Sequence, residues 1–374
     1  MDIACIIPKL NTIGGGEKFL IECIKRWQKK NEITLYTTSL DQKIIDEYSL
    51  EIQVKLLDTF FSTNSKKGFL TLPLEIRRFK NQINDHEIYN PHLFPTNLID
   101  IHPSIWYPHE PPRVLYDLNQ FFFKRKDINL SEKLLGRFYF PILRFMNENY
   151  TKIDNIVANS HFSKVYLEKV YKKDINNVVY PGVDTKNFNY SKKFNNVLLT
   201  VNRLFPEKRV DLSIKAMQYI DDFELWIVGE GSFKTYLKKL SEKLEVSDRV
   251  KFCGFVDEKE LFRIYAKCFC TLYTPLREPF GMVALESMAA GKPLIACKDG
   301  GFTEIVQNGI HGFLVDNNPK IIAEKVNYLI NNIDLYNNMC KACRKDSKKY
   351  SWDSTSNKLL NLFKKNVYNK EIKI

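Results

Sequence analysis

The stretch LREPFGMVALESMAAGKPLIACKDGG, Leu276 to Gly301, sets two carboxylates eight residues apart, Glu278 and Glu286. Pro279 and Gly281 break the chain around Glu278 into a loop, and the apolar run that follows predicts a helix over 281–290. Free amides at a helix start make a place for a phosphate, and the helix dipole favours its negative charge. Eight residues of helix would span roughly 12 Å at 1.5 Å per residue, about the reach from ribose to sugar in a nucleotide diphosphosugar. One carboxylate then accepts from sugar hydroxyls and the other from ribose hydroxyls. Taken alone, the pair is better explained by a solvated Glu278 and a cap or helix-face partner at Glu286.

Three further groups keep it company. In VNRLFPEKRVD, Asn202, Arg203 and Lys208 follow the predicted strand Val197 to Val201, so an Arg and a Lys emerge at a strand's carboxyl end. Fixed cations there neutralise a leaving diphosphate without a metal. The chain has no Asp-x-Asp triplet, which weakens any reading that needs carboxylate-held Mg²⁺ or Mn²⁺. Gly14, Gly15 and Gly16 follow the first predicted strand and open a helix at Glu17, letting backbone approach a phosphate or sugar. Their spacing is neither that of a nucleoside triphosphatase loop nor that of a dinucleotide fingerprint; a merely tight turn is the plain alternative. In IWYPHEPPRVLYD, Ile105 to Asp117, three prolines stiffen a loop that exposes His109, Glu110 and Arg113. A histidine there suits contact with a reacting sugar or its acceptor, against a buried structural role; His92 and His102 are evenly balanced between the two.

Elements that position such loops are legible along the whole chain. Short β-rich runs alternate with helical stretches, the pattern of parallel α/β units. The first series runs from Ile3 to Tyr180 and a second starts at Val197, with the polar stretch Asn187 to Asn196 as hinge. The 374 residues exceed what one core sustains, so the expected fold is α/β, two Rossmann-like doubly wound domains facing across a cleft. The expected domains are 1–190, binding the acceptor, 191–350, binding the nucleotide sugar, and 351–374, a basic helix packing back toward the first. Ligands of such sheets bind beyond the carboxyl ends of the strands.

Composition closes off other classes. With 44% hydrophobic and 13% aromatic residues, disorder is excluded, and 15 Gly with 15 Pro exclude collagen-like chains. No run of 18 apolar residues and no basic leader with a cleavage site follow Met1, so a cytosolic protein is expected. Eight scattered cysteines fit a reducing compartment, and the Cys340 to Cys343 pair lacks the second pair that zinc needs. Of the net charge of +12, residues 118–146 and 341–374 carry nearly all, with six Lys or Arg against two acids and ten against three. The rest is near neutral, which argues against nucleic acid as a partner and for local contact with something anionic.

Together these residues resemble the retaining family 4 glycosyltransferases of the GT-B fold over essentially the full length. REPFGMVALE resembles that family's paired-glutamate signature, and VNRLFPEKRVD its phosphate-binding strand; the glycine loop, VGEG, ANSHFSK and YPGVDTKNF are similar to further landmarks. YPHEPPRVLYD looks most like a subset of mannosyltransferases, which favours GDP-mannose over a UDP-sugar as donor.

The resemblance implies catalysis by His109, Arg203, Lys208 and Glu278, with no metal and no cofactor. It implies that Arg203 and Lys208 hold the diphosphate, Glu286 the ribose and Glu278 the donor sugar. Phe280 and the amides of Gly281, Met282 and Val283 assist, and Glu230 and Phe255 lie at the nucleobase end. Gly15 and Gly16 are donor contacts that border the acceptor, while Gly14, Glu110 and Arg113 belong to the acceptor side. The implied acceptor is a glycan or lipid-linked glycan. Residues 121–146, mixing Phe, Leu and Ile with Lys and Arg, then suit peripheral contact with an anionic membrane at its cytoplasmic face. An epimerase, or a catalytically silent nucleotide-sugar-binding subunit, is the alternative.

Overall fold

The computed structural model describes residues 1–58, 72–125, 128–190 and 194–371. The chain divides into two units, Met1–Pro181 with Trp352–Ile374, and Gly182–Ser351. Residues 182–190 therefore belong to the second unit, not the first. Val183 N donates to Tyr350 O at 2.8 Å, and the Phe188 ring packs on Phe262 and Tyr265, so tertiary packing, invisible in the polar composition, moves the boundary.

The first unit runs β1 (Asp2–Ile6), α1 (Gly15–Trp27), β2 (Glu32–Thr37), α2 (Gln42–Glu47), β3 (Gln53–Leu56), α3 (Leu72–Gln82), β4 (Ile88–Pro91), β5 (Ile105–Trp106), α4 (Asn119–Lys124), α5 (Leu130–Asn149), β6 (Asn155–Ala158), α6 (His161–Tyr171) and β7 (Asn177–Val178). Its strands pair in parallel in the orders β3-β2-β1-β4 and β5-β6-β7, and bridges from Tyr89 to Ser104 and from His92 to Tyr107 join the two sets. Strand order reverses between β1 and β4, where a crevice forms at the carboxyl ends. Helix α1 covers this sheet because Phe19, Leu20, Cys23, Ile24 and Trp27 fall on one face and are buried, Phe19, Leu20 and Ile24 each contributing about 1.5–3 kcal/mol.

The second unit runs β8 (Val197–Val201), α7 (Val210–Ala216), β9 (Glu224–Val228), α8 (Lys234–Lys243), β10 (Val250–Gly254), α9 (Glu258–Lys267), β11 (Cys270–Tyr273), α10 (Met282–Ala289), β12 (Leu294–Cys297), β13 (Gly312–Val315), α11 (Pro319–Ile330) and α12 (Ile333–Ser347). Its parallel sheet has the order β10-β9-β8-β11-β12-β13. The reversal now falls between β8 and β11. Strands β8, β11 and β12 are buried on both faces, as their mostly apolar runs VLLTV, CTLY and LIAC lead one to expect.

The final helix, α13 (Trp352–Glu371), packs on α1 of the first unit. Trp27 Nε1 donates to Ser356 O at 3.0 Å, the Trp27 and Phe363 rings meet edge on, and Arg26 pairs with Asp353 at 2.6 Å. Its basic residues thus flank a buried apolar seam. Cys340 and Cys343 are buried, unpaired thiols on α12. Among the described residues no group of three metal-ligating side chains comes together.

Candidate active site

In the second unit the charged groups converge on the strand reversal. After β8 the chain turns through a one-turn helix at Pro206–Lys208, and Arg209 takes a left-handed conformation. Thr274 Oγ1, at the end of β11, donates to Arg209 O at 2.9 Å, while Leu276 N donates to Glu207 O at 2.8 Å. These bonds lock one loop to the other. Lys208 Nζ then reaches Glu278 Oε2 at 2.6 Å, an ion pair across β8 and β11 with both side chains mostly covered. Glu278 is held from behind: its N donates to Asp299 O at 3.1 Å and its carbonyl accepts from Gly301 N at 2.8 Å. A Cβ on Gly300 would stand 2.5 Å from the Glu278 carbonyl, so only glycine allows that clamp. Arg203 is exposed beside the Phe205 ring.

Helix α10 is preceded by Gly281 at its N-cap, which is left-handed at φ +92 and where a Cβ would stand 3.0 Å from Phe302 and 3.1 Å from Tyr273. Phe280 is buried under this turn, and Met282 and Val283 are half-buried at the first turn. Glu286 is buried one turn further on, and its Oε2 accepts from Tyr265 OH at 3.2 Å. Burial, and after it the Glu286 carboxylate, raises the Tyr265 hydroxyl well above its ordinary value, so it stays a donor. Glu286 is therefore neither an N-cap nor one of a surface pair. Glu230 pairs with Lys234 at 2.6 Å and lies against Gly254, beside Phe255, which is 80% exposed; these three mark the carboxyl ends of β9 and β10. Gly229 and Gly231 bring that loop onto the chain just after β8, where added Cβ atoms would stand 2.0 Å from Asn202 O and 2.3 Å from Leu204 O.

The first unit builds its counterpart at its own reversal. Gly14 precedes α1 and its N donates to Glu17 Oε2 at 3.0 Å; Gly15 is exposed, and Gly16 lies against the His109 ring, with room for a Cβ at 3.4 Å. His109 is itself left-handed at φ +62. Its ring stands among Phe19, Tyr107 and His92, and burial there pushes its pKa down to about 3. His92 is fully buried and bonded to His109 at 3.1 Å. His102 instead lies half in solvent between Asp100 and Asp154, whose carboxylates raise its pKa against the opposing effect of burial.

Arg113 corrects an expectation. It is buried, not exposed, because its guanidinium forks onto Asp117 at 2.8 Å and Glu110 approaches at 3.8 Å. Tyr166 OH donates to the same Asp117 at 3.1 Å, so Arg113 ties loop to helix. Glu110 remains half-exposed. Tyr265, Thr274 and Asn159 support the two sites without any local signal, since each acts on a residue distant in sequence, while Asn90 acts on His92 two residues further on.

Residues 184–346 match the model of the glycosyl transferases group 1, so the second unit is a glycosyltransferase domain of this group. An uncharacterized glycosyltransferase of Methanocaldococcus jannaschii is 32% identical over 225 residues, 60% of this chain. The chain spans under two thirds of the archaeal relatives it matches, 61% of this one and 44% of a second. The alpha-1,3/1,6-mannosyltransferase of Dictyostelium discoideum is 25% identical over 88% of this chain and 90% of its own. Among solved structures, Anabaena HepE in complex with UDP-glucose superposes with a TM-score of 0.76 at 18% identity, covering 98% of this chain and 100% of that one. The fold of the whole chain is thus that of the GT-B glycosyltransferases, two Rossmann-like α/β units.

Proposed function

We propose that this protein is a retaining hexosyltransferase that moves mannose from GDP-mannose to a hydroxyl of a glycan or lipid-linked glycan. The observation that carries the reading is the ion pair of Lys208 and Glu278 at the strand reversal of a group 1 domain. It sets a cation and a hydroxyl-accepting carboxylate side by side, as a phosphate next to a sugar requires. On this reading Arg203 and Lys208 bind the diphosphate and Glu278 turns to the sugar hydroxyls. The amides of Gly281 to Val283 assist, Glu286 accepts from ribose, and Glu230 with Phe255 flanks the base. The acceptor oxygen bonds to the sugar carbon on the face that the diphosphate leaves, the old carbon–oxygen bond breaks, and the hydroxyl proton passes to the departing phosphate. Fixed cations carry the developing charge that a divalent ion would otherwise meet.

Mannose is favoured by the full-length likeness to a mannosyltransferase. Thermal-shift titration against GDP, UDP, ADP and their sugars tests the donor: the GDP series should raise the midpoint most, and a ligand at about 100 times its Kd stabilises by about 2.7 kcal/mol. A shift confined to UDP-sugars overturns the assignment of base. Transfer to a mannosyl acceptor followed by NMR of the product's anomeric proton tests retention.

The reading extends to an anionic membrane surface. Helix α5 turns Leu130, Leu134, Phe138, Ile142 and Phe145 outward, each at least half exposed, while Gly136, Leu143 and Asn147 face inward. Lys133, Arg137 and Arg144 follow one edge of that apolar stripe, and Lys124 precedes it, the arrangement that favours headgroups beside acyl chains. Lys126 and Asp127 lie outside the described residues. No described helix is long and apolar enough to cross a membrane. The free cysteines support a reducing, cytoplasmic side. Co-sedimentation with vesicles containing phosphatidylglycerol, lost in Phe138→Ser/Phe145→Ser, is the expected result; equal binding to neutral vesicles overturns the electrostatic part.

A further inference from the structure

The two histidines of the first unit stand in one hydrogen-bonded line that begins at a main-chain carbonyl. Asn90 Nδ2 donates to Ile105 O at 2.7 Å, which turns Asn90 Oδ1 toward His92 Nε2 at 2.8 Å. An amide oxygen only accepts, so His92 Nε2 carries the hydrogen. His92 is fully buried, and burial first and His109 second push its pKa well below the ordinary value. The ring is neutral, and its Nδ1 keeps a lone pair. That lone pair faces His109 Nε2 at 3.1 Å, so His109 Nε2 is the donor. His109 is neutral as well, which leaves its Nδ1 bare. This atom has no hydrogen-bond partner among the described residues and is not a buried orphan; it is the nitrogen open to a ligand. The main chain is held separately, because Asn159 Nδ2 donates to the left-handed His109 carbonyl at 2.7 Å.

We propose that Asn90 and His92 are positioning residues that set the tautomer of His109, so that its Nδ1 accepts a hydrogen bond from a substrate hydroxyl. The proposal rests on the transferase reading for the identity of that substrate, a sugar or its acceptor. A bare imidazole lone pair attracts a hydroxyl hydrogen and repels a phosphate oxygen. This half of the chemistry is therefore a reader of hydroxyls, and the cations of the second unit are left to read phosphate. Asn159 fixes where the ring starts, and the line from Asn90 fixes which nitrogen it offers.

Nitrogen-15 NMR of the full-length, histidine-labelled protein at pH 7 tests the tautomer without substrate. His109 Nδ1 is expected to resonate as an unprotonated nitrogen and Nε2 as a protonated one; the reverse assignment or a cationic ring overturns the proposal, whatever the protein transfers. In activity, His92→Asn places an amide oxygen near the lost Nδ1 and should keep kcat/KM within about fivefold. His92→Leu removes the acceptor and should lose about 100-fold, with the Kd for nucleoside diphosphate unchanged within twofold. Equal impairment of the two variants, or full activity of His92→Leu, overturns it. Should His92→Leu not fold, the wild-type spectrum and His92→Asn still decide.

Discussion

The two units place their candidate residues at the same point of the same topology, yet fill it with opposite chemistry. Both sheets run 3-2-1-4 from the edge before reversing, at β1 and β4 in the first and β8 and β11 in the second. The second unit sets charge there, Arg203, Lys208, Glu278 and the start of α10. The first sets neutral rings and amides, His109 and His92 tied to Asn90 and packed on Phe19 and Tyr107. Fold alone therefore sets where the candidate residues gather, and side chains decide what chemistry they offer there. Packing differs in the same sense: the loops of the second unit meet through glycines that tolerate no Cβ, while Gly16 has room beside His109.

Removing charge from the second unit is the strongest way to break the comparison. Lys208→Ala should lower kcat about 1000-fold in a labelled-donor assay, since on the proposed reading it removes the cation that meets the leaving diphosphate. A rate near wild type would end the division of labour. Next comes packing. Gly229→Ala should cost about 3 kcal/mol in urea unfolding because its φ is +125 and Asn202 O blocks the methyl; Gly16→Ala should stay under about 1 kcal/mol. Equal losses would contradict the contrast in loop packing.

His109→Ala sharpens the other side. It should lower kcat/KM about 30-fold while leaving the Kd for nucleoside diphosphate within twofold, because the contact proposed for His109 is with a hydroxyl alone. A comparable loss of nucleotide affinity would mean that the first unit also reads phosphate. The smallest effect is acid sensitivity. His109 has a folded pKa near 3 against 6.5 unfolded, so between these values the unfolded chain binds more protons. Its contribution is complete above pH 6.5 and is lost as pH falls toward 3. Trp27, Trp106 and Trp352 lie in the first unit and Trp226 in the second, so the tryptophan fluorescence of a Trp226→Phe variant, which reports on the first unit, should show the midpoint dropping by roughly 5 °C between pH 7 and 5. A flat midpoint would show that the rings are not held neutral.

Much of this was legible beforehand. Strands such as Val197–Val201 and Cys270–Tyr273 coincide with their β-branched and apolar runs, and the glycine and proline breaks around Glu278 locate the loop before α10. Less visible were α5, whose two apolar faces hide a helix of one buried and one exposed stripe, and Arg113, whose partner Asp117 is near in sequence but is itself bonded by the distant Tyr166. The boundary at Gly182 is not legible in the polar composition of the stretch, because two apolar residues within it, Val183 and Phe188, are held by Tyr350 and Phe262.

Local chemistry alone determined the alternation of strand and helix, the charge on the loop after β8 and the carboxylates around α10, because hydrophobic period and turn residues act over a few positions. Only the folded chain decided that Lys208 meets Glu278 across 70 residues, that Tyr265 holds Glu286, and that Asn90 orients His92 against His109. Those pairings depend on strand order, and strand order follows from how the whole chain buries its apolar surface.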